Sequence, residues 1–317
     1  MRVGVLVPAR DEGRAIADKV RDLARCAWPD VAARGPHAVV IVDDHSSDDT
    51  FAAASAAAGV LRERGLDVHV VRSAAPAGKP GAIRAGLARL CDLGFEGAAD
   101  LVVLTDADVA FEPGALVALA QAFAREPRLG MACGAQRYVA CAPWALECGD
   151  APSDMGLYDR LFALARRCES MLGALLSVHG QLLAWRAGLA LAPPDGRAAD
   201  DLELVVAARD RARPPRVRLI PTAQFFERRA GDGAASDAQR LRRARAWFQH
   251  FAGAPPRRRG LRVQWHAWRL LPLVALALSA PLALVSKPVA LRRGAWLAAR
   301  RAEREGPMPA RWEVARG

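Results

Sequence analysis

Two aspartates one residue apart, Asp106 and Asp108, follow the apolar run 101–104. Four apolar, β-prone residues predict a buried strand, so both carboxylates would emerge where that strand ends. Open α/β sheets bind their ligands at the carboxyl ends of the strands. Carboxylates at that edge can hold a hard divalent cation, and the cation can clamp phosphates. The alternative is an Asp-rich turn that only caps the next helix.

Acidic residues also stand at the ends of two other predicted strands. The first strand ends at Pro8 and is followed by Glu12, and the second leads into Asp44. A carboxylate at a strand end can accept a hydrogen bond from a base N–H or from ribose hydroxyls, so we assign Asp44 to a ligand. Residues 47–49 suit the start of a helix, and we assign them to capping.

A glycine- and proline-containing turn, residues 78–81, opens another predicted helix that runs to about Leu93. Lys79 and the backbone N–H groups of this turn could meet a phosphate. A plain Gly/Pro loop with a solvated lysine has the same composition, and the turn alone does not separate the two interpretations.

The elements that would position these residues alternate between strand and helix. The sequence predicts strands over 3–7, 38–42, 68–71 and 101–104, with helices over 11–27, 51–64 and about 81–93. This spacing is typical of βαβ units and implies an α/β fold with a largely parallel sheet and right-handed crossovers. No GxGxxG or GxxxxGK[ST] motif stands at a strand end, which disfavours an ordinary dinucleotide fold or a P-loop.

Four motifs, taken in order, resemble the family-two inverting glycosyltransferases, which have the GT-A type nucleotide-diphospho-sugar transferase fold. The motifs are residues 8–12, 43–50, 78–87 and 106–108. The resemblance continues through residues 169–170, 180–186, 200–202 and 240–247, and so covers about residues 1–250. It implies a mostly parallel central sheet flanked by helices, and transfer of a sugar from a nucleotide-diphosphate donor.

The resemblance also implies a role for each matching residue. The nucleotide-sugar would be bound by Pro8, Glu12, Asp44, Lys79 and Asp106. Asp108 would coordinate Mg or Mn on the diphosphate, and Gly180 and Gln181 would line the acceptor side. Asp201 matches the second acid of the family's Glu-Asp pair, the general base; here the pair reads Asp200-Asp201.

These implied roles make chemical sense together. A metal ion neutralises charge on the departing nucleoside diphosphate as a Lewis acid. A carboxylate on the opposite face, Asp201, takes the proton of the acceptor hydroxyl during in-line attack. The alternative for the pair 200–201 is a helix N-cap before the amphipathic run 202–209.

The chain departs from the family pattern in two places. Arg84 stands where the family usually has Asn, so local phosphate or base contacts are expected to differ. The Gln-x-x-Arg-Trp motif of processive polymer synthases is not intact. On a helix its residues would share one face at i, i+3, i+4 and i+8, namely Gln239, Arg242, Arg243 and Trp247. That face could close over the diphosphate or be a solvated basic helix near lipid.

The C-terminal part of the chain is basic and contains an apolar run. Residues 206–317 hold 24 Arg or Lys against 7 Asp or Glu, within a net charge of +11. Such a surplus indicates an anionic partner, either nucleic acid or lipid. The uncharged run 270–286 favours lipid, because it has basic residues on both sides and is flanked by Trp265, Trp268 and Trp296.

We therefore predict a catalytic domain over residues 1–250 and a membrane-associated region over 251–317 that contains a hydrophobic helical segment. The run could span the bilayer, lie in the interface, or be a buried core helix. With one such segment there is no channel for extruding a polymer, so we expect non-processive transfer to a lipid or glycan acceptor. The anionic membrane surface would be a partner, and nucleic acid would not.

Composition limits the remaining possibilities. The 317 residues are 52% hydrophobic and 25% charged, as expected for a folded protein. The six cysteines form no CxxC pair and no signal peptide is visible, so we expect reduced thiols in a cytosolic compartment. The Ala- and Arg-rich usage suggests a bacterial chain. With the family resemblance and the basic C-terminal part, we expect a cytoplasmic catalytic domain at the inner membrane, in cell envelope biosynthesis. A sugar-phosphate nucleotidyltransferase and a non-catalytic membrane-binding protein with the same fold remain as alternatives.

Overall fold

The computed structural model describes residues 1–30, 35–139, 157–197, 199–228, 234–278 and 293–300. Within these ranges only the backbone is described for residues 157–162, 234–240, 243 and 271–278.

The described residues form eight strands and nine labelled α-helices, with one further helical segment. The strands are β1 (Arg2–Ala9), β2 (Ala38–Asp43), β3 (Asp67–Arg72), β4 (Asp100–Leu104), β5 (Val109–Phe111), β6 (Leu129–Val139), β7 (Leu183–Arg186) and β8 (Arg216–Arg228). The helices are α1 (Gly13–Arg25), α2 (Thr50–Ala57), α3 (Gly59–Arg62), α4 (Lys79–Asp92), α5 (Ala115–Arg125), α6 (Leu157–Met171), α7 (Asp200–Arg209), α8 (Ala234–Ala252) and α9 (Arg259–Leu278). Two 3₁₀ turns, Gly180–Leu182 and Ala187–Leu189, flank β7, and residues 293–300 are also helical.

The strands form a mixed sheet in the order β3-β2-β1-β4-β7-β6-β8-β5. The first four are parallel to one another, as the strand–helix alternation predicts. β7 runs antiparallel to β4 and β6, and β5 runs antiparallel to β8, while β6 and β8 are parallel. The sheet is therefore less uniformly parallel than predicted. The departures are β7 and β5, which run antiparallel to their neighbours and lie outside the predicted strands.

Apolar residues cover both faces of the sheet. β2 and β4 are buried along their whole length, as expected of strands with helices on both sides. On one face α1 packs through Ile16, Val20 and Leu23. On the other face α4 packs very closely, because a Cβ added at Gly86 would lie only 2.0 Å from Leu6 Cδ1. The carboxyl ends of β1, β2 and β4 are thus fixed relative to α1 and α4.

Helix α9 is attached to this core rather than free of it. Trp265 and Trp268 are 1% and 5% exposed and belong to the apolar cluster on the α4 face. The indole Nε1 of Trp268 donates a hydrogen bond of 2.6 Å to Glu169 Oε1 on α6. The interpretation of these two tryptophans as membrane-interface anchors is therefore wrong, because protein side chains surround them.

The predicted hydrophobic helical segment is not supported by the described residues. Helix α9 contains the first part of the run 270–286 and ends at Leu278; residues 279–286 lie outside the described part. Among the helices that the structure describes, none combines the length and the apolar character needed to cross a membrane.

Candidate active site

The loops that follow β1 and β2 are locked together at the carboxyl edge of the sheet. Asp11 and His45 have positive φ angles of 53° and 57°, a conformation that Asp and His adopt more readily than most residues. Asp11 Oδ1 accepts hydrogen bonds from the backbone N–H and the hydroxyl of Ser47, at 2.7 and 3.0 Å. The imidazole Nε2 of His45 lies 2.8 Å from the carbonyl oxygen of Ala75. His45 thus makes a structural contact with the segment that follows β3.

The carboxylate of Asp48 forms hydrogen bonds at the starts of two helices. Asp48 accepts hydrogen bonds from the backbone N–H groups of Thr50, which begins α2, and of Gly13, which begins α1, each at 3.0 Å. Burial opposes ionisation here, but these hydrogen bonds lower the pKa of Asp48. The predicted capping is therefore correct for Asp48. It is wrong for Ser47, whose hydroxyl bonds Asp11. Asp49 is the N-cap residue of α2, as predicted, but its side chain makes no capping hydrogen bond.

Asp44 has one carboxylate oxygen left for a ligand. The side chain is fully buried, and its Oδ2 accepts a hydrogen bond of 2.8 Å from the N–H of Gly78. Its Oδ1 has no hydrogen-bond partner among the described residues, and neither has the nearby Arg10 Nη1. A buried polar atom without a partner is costly, so both atoms are suited to a ligand that enters the cleft. The role of Asp44 in nucleotide-sugar binding stays a prediction.

Two glycines allow α4 to begin where it does. Gly78 has a φ of +145°, which side chains rarely tolerate. A Cβ on Gly81 would lie 2.6 Å from the carbonyl oxygen of Pro76. This tight turn directs Lys79, the first residue of α4, toward the acidic strand ends.

Lys79 joins two sets of carboxylates. Its Nζ donates a hydrogen bond of 2.7 Å to Asp106 Oδ1 and lies 3.6 Å from Asp200 Oδ2. Burial lowers the pKa of Lys79, but Asp106 and Asp200 outweigh this effect and raise it above its ordinary value. The ammonium therefore stays charged and links the end of β4 to the start of α7.

Negative charge accumulates beside this lysine. Asp108 is accessible to solvent, but loss of hydration inside the cleft and then the charge of Asp106 raise its pKa. Burial, followed by Asp108 and Asp106, raises the pKa of Glu12 to about 8. A bound cation would relieve this crowding of carboxylates.

The donor set fits Mg or Mn shared with a substrate. In the part of the chain that the structure describes, no group of three or more His, Cys, Asp or Glu side chains surrounds a metal position. Magnesium sites of this kind use one or two carboxylates and complete their coordination with phosphate oxygens and water. Asp108 and Asp106 can supply the protein's share.

The predicted base lies at the start of α7. Asp201 is in the first helical turn, where the helix dipole favours a carboxylate, and its Oδ1 accepts a hydrogen bond of 2.8 Å from the N–H of Leu202. Burial and then the charge of Asp200 raise the pKa of Asp201 to about 6, against the opposing effect of Lys79. The N-cap residue is Ala199, so the simple N-cap interpretation of the acidic pair is wrong.

The predicted acceptor side adjoins Asp201. A Cβ added at Gly180 would lie 3.3 Å from Asp201 Cβ, so a side chain at this position would press against Asp201. Gln181 Nε2 donates a 3.4 Å hydrogen bond to Glu227 Oε2 on β8. Glu227 stands opposite Val109, the residue after Asp108, and therefore connects the acceptor side with the acidic turn. Sequence reasoning missed Glu227.

The unusual Arg84 contacts a loop near the base. Its Nη1 donates a hydrogen bond of 3.1 Å to the carbonyl oxygen of Pro193, and its Nη2 forms an ion pair with Asp195. Both partners belong to the loop that leads into α7. The departure from the family's Asn thus has a visible consequence, because it ties α4 to the segment before Asp201.

The roles predicted for Pro8 and for the residues of α8 stay predictions. Pro8 is buried in β1, paired with Val42, and its backbone position is close to the strand end. Trp247 on α8 packs against Phe251 and Trp268, with ring centroids 4.7 and 5.6 Å apart. Arg242 is half-buried on the same helix, and the side chains of Gln239 and Arg243 lie outside the described part. Contact of this helix with the diphosphate remains a prediction.

Comparison with known proteins gives a family match over most of the chain. The model of the family described as "Glycosyltransferase like family 2" matches residues 1–246. A search of curated protein sequences finds no match.

Solved structures give two informative neighbours. The chain is similar to the mannosyltransferase PcManGT from Pyrobaculum calidifontis in complex with GDP-Man and Mn²⁺, with 25% identity and a TM-score of 0.66 over 95% of this chain and 86% of that one. It also resembles S. aureus TarS 1–349, with 15% identity and a TM-score of 0.52 over 96% and 92% of the two chains. The second likeness concerns the fold alone.

Proposed function

This chain belongs to the glycosyltransferase family 2-like proteins, and from that premise we propose that it is a metal-dependent, inverting glycosyltransferase. It would move a sugar from a nucleotide-diphosphate donor to a hydroxyl of a lipid or glycan acceptor at the cytoplasmic face of a bacterial membrane, one sugar per acceptor. The observation that carries this proposal is Lys79, whose ammonium lies 2.7 Å from Asp106 and 3.6 Å from Asp200. It brings the donor-side acids and the acidic pair 200–201 into one site.

The donor would lie along the edge formed by β1, β2 and β4. Asp44 Oδ1 and Arg10 Nη1, both without hydrogen-bond partners among the described residues, are available to the nucleoside. Lys79 offers a positive charge for the diphosphate once its Asp106 contact is shared with the substrate. Asp108 and Asp106 would hold Mg or Mn, which supplies charge neutralisation for the departing nucleoside diphosphate.

The acceptor would approach from the side of Gly180. Gly180 has no side chain to press against Asp201, which leaves room beside the carboxylate. Asp201 would take the proton of the acceptor hydroxyl as that oxygen attacks the anomeric carbon. A single displacement of this kind inverts the configuration of that carbon.

A donor screen tests the proposal. UDP-, GDP- and dTDP-sugars are incubated with the purified full chain and Mn²⁺ or Mg²⁺, with EDTA as the control, and release of nucleoside diphosphate is measured with and without lipid and glycan acceptors. We expect one donor class to be hydrolysed or transferred only when metal is present. The products should carry one added sugar with inverted anomeric configuration. Absence of turnover with every donor, or equal turnover in EDTA, would contradict the proposal.

We infer that the outer side of α9 faces anionic lipid. Its inner side is buried through Leu261, Trp265 and Trp268, while Val263 and Leu270 are 71% and 54% exposed. The same helix and the residue before it also carry exposed basic residues, namely Arg258, Arg259, Arg262 and Arg269. Apolar side chains beside arginines are the composition of helices that lie in the headgroup region of acidic bilayers.

Substitution of Val263 by Asp should weaken binding to acidic vesicles. It places a negative charge among the arginines and removes an apolar contact, so we expect at least a several-fold loss of co-sedimentation with vesicles containing phosphatidylglycerol. Val60→Asp, at a partly exposed valine on α3, is the matched control and should bind as the unaltered protein does. Equal binding of all three proteins, or equal binding to neutral vesicles, would count against a lipid-facing α9.

A further inference from the structure

A lysine is completely buried on the apolar face of α1. Lys19 is 0% exposed and stands between Ile16 and Leu23, one helical turn from each. An ammonium group is expensive to bury unless it is hydrogen-bonded and paired with opposite charge. Its hydrogen bonds and its ion pair must therefore offset that cost, and all of them lie at the segment 105–111 or at the neighbouring turn of α1.

The ammonium of Lys19 holds both ends of the acidic turn. Its Nζ donates hydrogen bonds of 3.0 Å to Thr105 Oγ1 and 2.9 Å to the carbonyl oxygen of Val109. Thr105 immediately precedes Asp106, and Val109 immediately follows Asp108. A single side chain, Lys19, thus joins the residue before Asp106 to the residue after Asp108.

Asp22, one turn further along α1, holds the other end of β5. Its Oδ2 accepts a 2.9 Å hydrogen bond from the N–H of Phe111, the last residue of that strand. The same oxygen lies 4.0 Å from Lys19 Nζ, and the ring of Phe111 lies 3.8 Å from that nitrogen. Lys19 and Asp22 together therefore fix the first and last residues of the three-residue β5.

The charge of Lys19 also interacts with the carboxylates of Asp106 and Asp108. Burial lowers the pKa of Lys19, whereas Asp22, and more weakly Asp106 and Asp108, raise it. Conversely, the ammonium favours the ionised form of Asp108, in opposition to burial and to Asp106. Two carboxylates one residue apart repel each other, and a fixed cation beneath them reduces that repulsion.

We propose that Lys19 and Asp22 are positioning residues, which hold the turn 105–111 so that Asp106 and Asp108 present their carboxylates to the metal and the diphosphate. What the turn binds rests on the proposed function. That the turn is held by this pair rests on the hydrogen bonds alone. Groups behind a metal ligand commonly change metal affinity about 10–100-fold when they are removed.

The test compares Lys19→Met, which acts just after the end of β4, with a matched control at the start of β4. Arg2→Met removes the ion pair between Arg2 and Asp100, 3.1 Å long and largely buried, at the start of β4. Two properties are measured on the full chain: Mn²⁺ affinity by calorimetry without donor, and hydrogen exchange of the backbone amides of residues 105–111. Lys19→Met should weaken Mn²⁺ binding at least about tenfold and speed exchange in this segment. Arg2→Met should lower the melting temperature and leave both properties unchanged.

The outcomes separate the inference from the proposed function. A folded Lys19→Met protein with unaltered Mn²⁺ affinity and unaltered exchange overturns the positioning role. If the unaltered chain binds no Mn²⁺ without donor, the donor screen with its EDTA control decides the proposed metal dependence, and exchange still decides whether the pair holds the turn. Should Lys19→Met fail to fold, Asp22→Asn replaces it. Its amide oxygen can still accept the Phe111 N–H but carries no charge, so a smaller change in the same two properties is expected, and no change in either contradicts the role.

Discussion

Replacement of Asp201 by Asn lowers kcat by about 10²–10⁴-fold, the range that a positioned general base contributes. Asn has the shape of Asp but cannot take a proton from the acceptor hydroxyl. The KM for the donor should change little, because the role proposed for Asp201 is proton transfer from the acceptor and not donor binding. Initial rates measured at varied donor and at varied acceptor concentration check this separation. Full activity in the Asn variant would remove Asp201 from the mechanism.

The same carboxylate should determine the acidic limb of the pH profile. Its pKa is raised to about 6 by burial and then by Asp200, and the base works only when it is ionised. In the unaltered protein kcat/KM should therefore fall as the pH decreases through about 6. Asp200→Asn removes the neighbouring negative charge, lowers the pKa of Asp201 and should move this limb to lower pH. A limb that stays in place would mean that another group controls it.

The positions of the candidate acids could be predicted because they stand at the ends of apolar runs. The run 101–104 is β4 almost residue for residue, and burial of strands on both faces requires such continuous apolar sequences. The carboxyl ends of parallel strands meet at one edge, so Asp44 and Asp106 could be expected there together. The role of Asp201 came from the resemblance, since an acidic pair before a helix is equally compatible with a cap.

The positioning residues could not be predicted, since their partners are distant in the chain. Lys19 bonds Thr105 and Val109, which are 86 and 90 positions away. The sequence did contain a signal, a lysine in line with Ile16 and Leu23 on the apolar face of α1, but it does not identify what a buried ammonium contacts. Sequence alone likewise could not decide between lipid and protein as the surroundings of Trp268. Its hydrogen bond to Glu169, 99 positions away, decides that question.

Replacement of Asp108 by Asn should reduce metal-dependent transfer more than a hundredfold. Charge stabilisation by a catalytic metal contributes several kcal/mol, and each factor of ten in rate corresponds to about 1.4 kcal/mol. The affinity for Mn²⁺ should fall together with the rate, and excess metal should restore part of the activity. Asp92→Asn, at an exposed acid on the far end of α4, is the control and should leave both quantities unaltered.

The stability of the Asp108→Asn protein should change in the opposite direction. Loss of hydration and the charge of Asp106 raise the pKa of Asp108 in the folded protein, so the ionised carboxylate disfavours folding near pH 7, above the pKa of the unfolded chain. A neutral amide removes this repulsion, and the metal-free variant should melt at a higher temperature than the metal-free unaltered protein. The difference should vanish as the pH is lowered and Asp108 becomes protonated in both folded and unfolded states. A lower melting temperature without metal would indicate that Asp108 has a structural role. A higher one, combined with the loss of transfer, is the result expected of a residue that sacrifices stability for function.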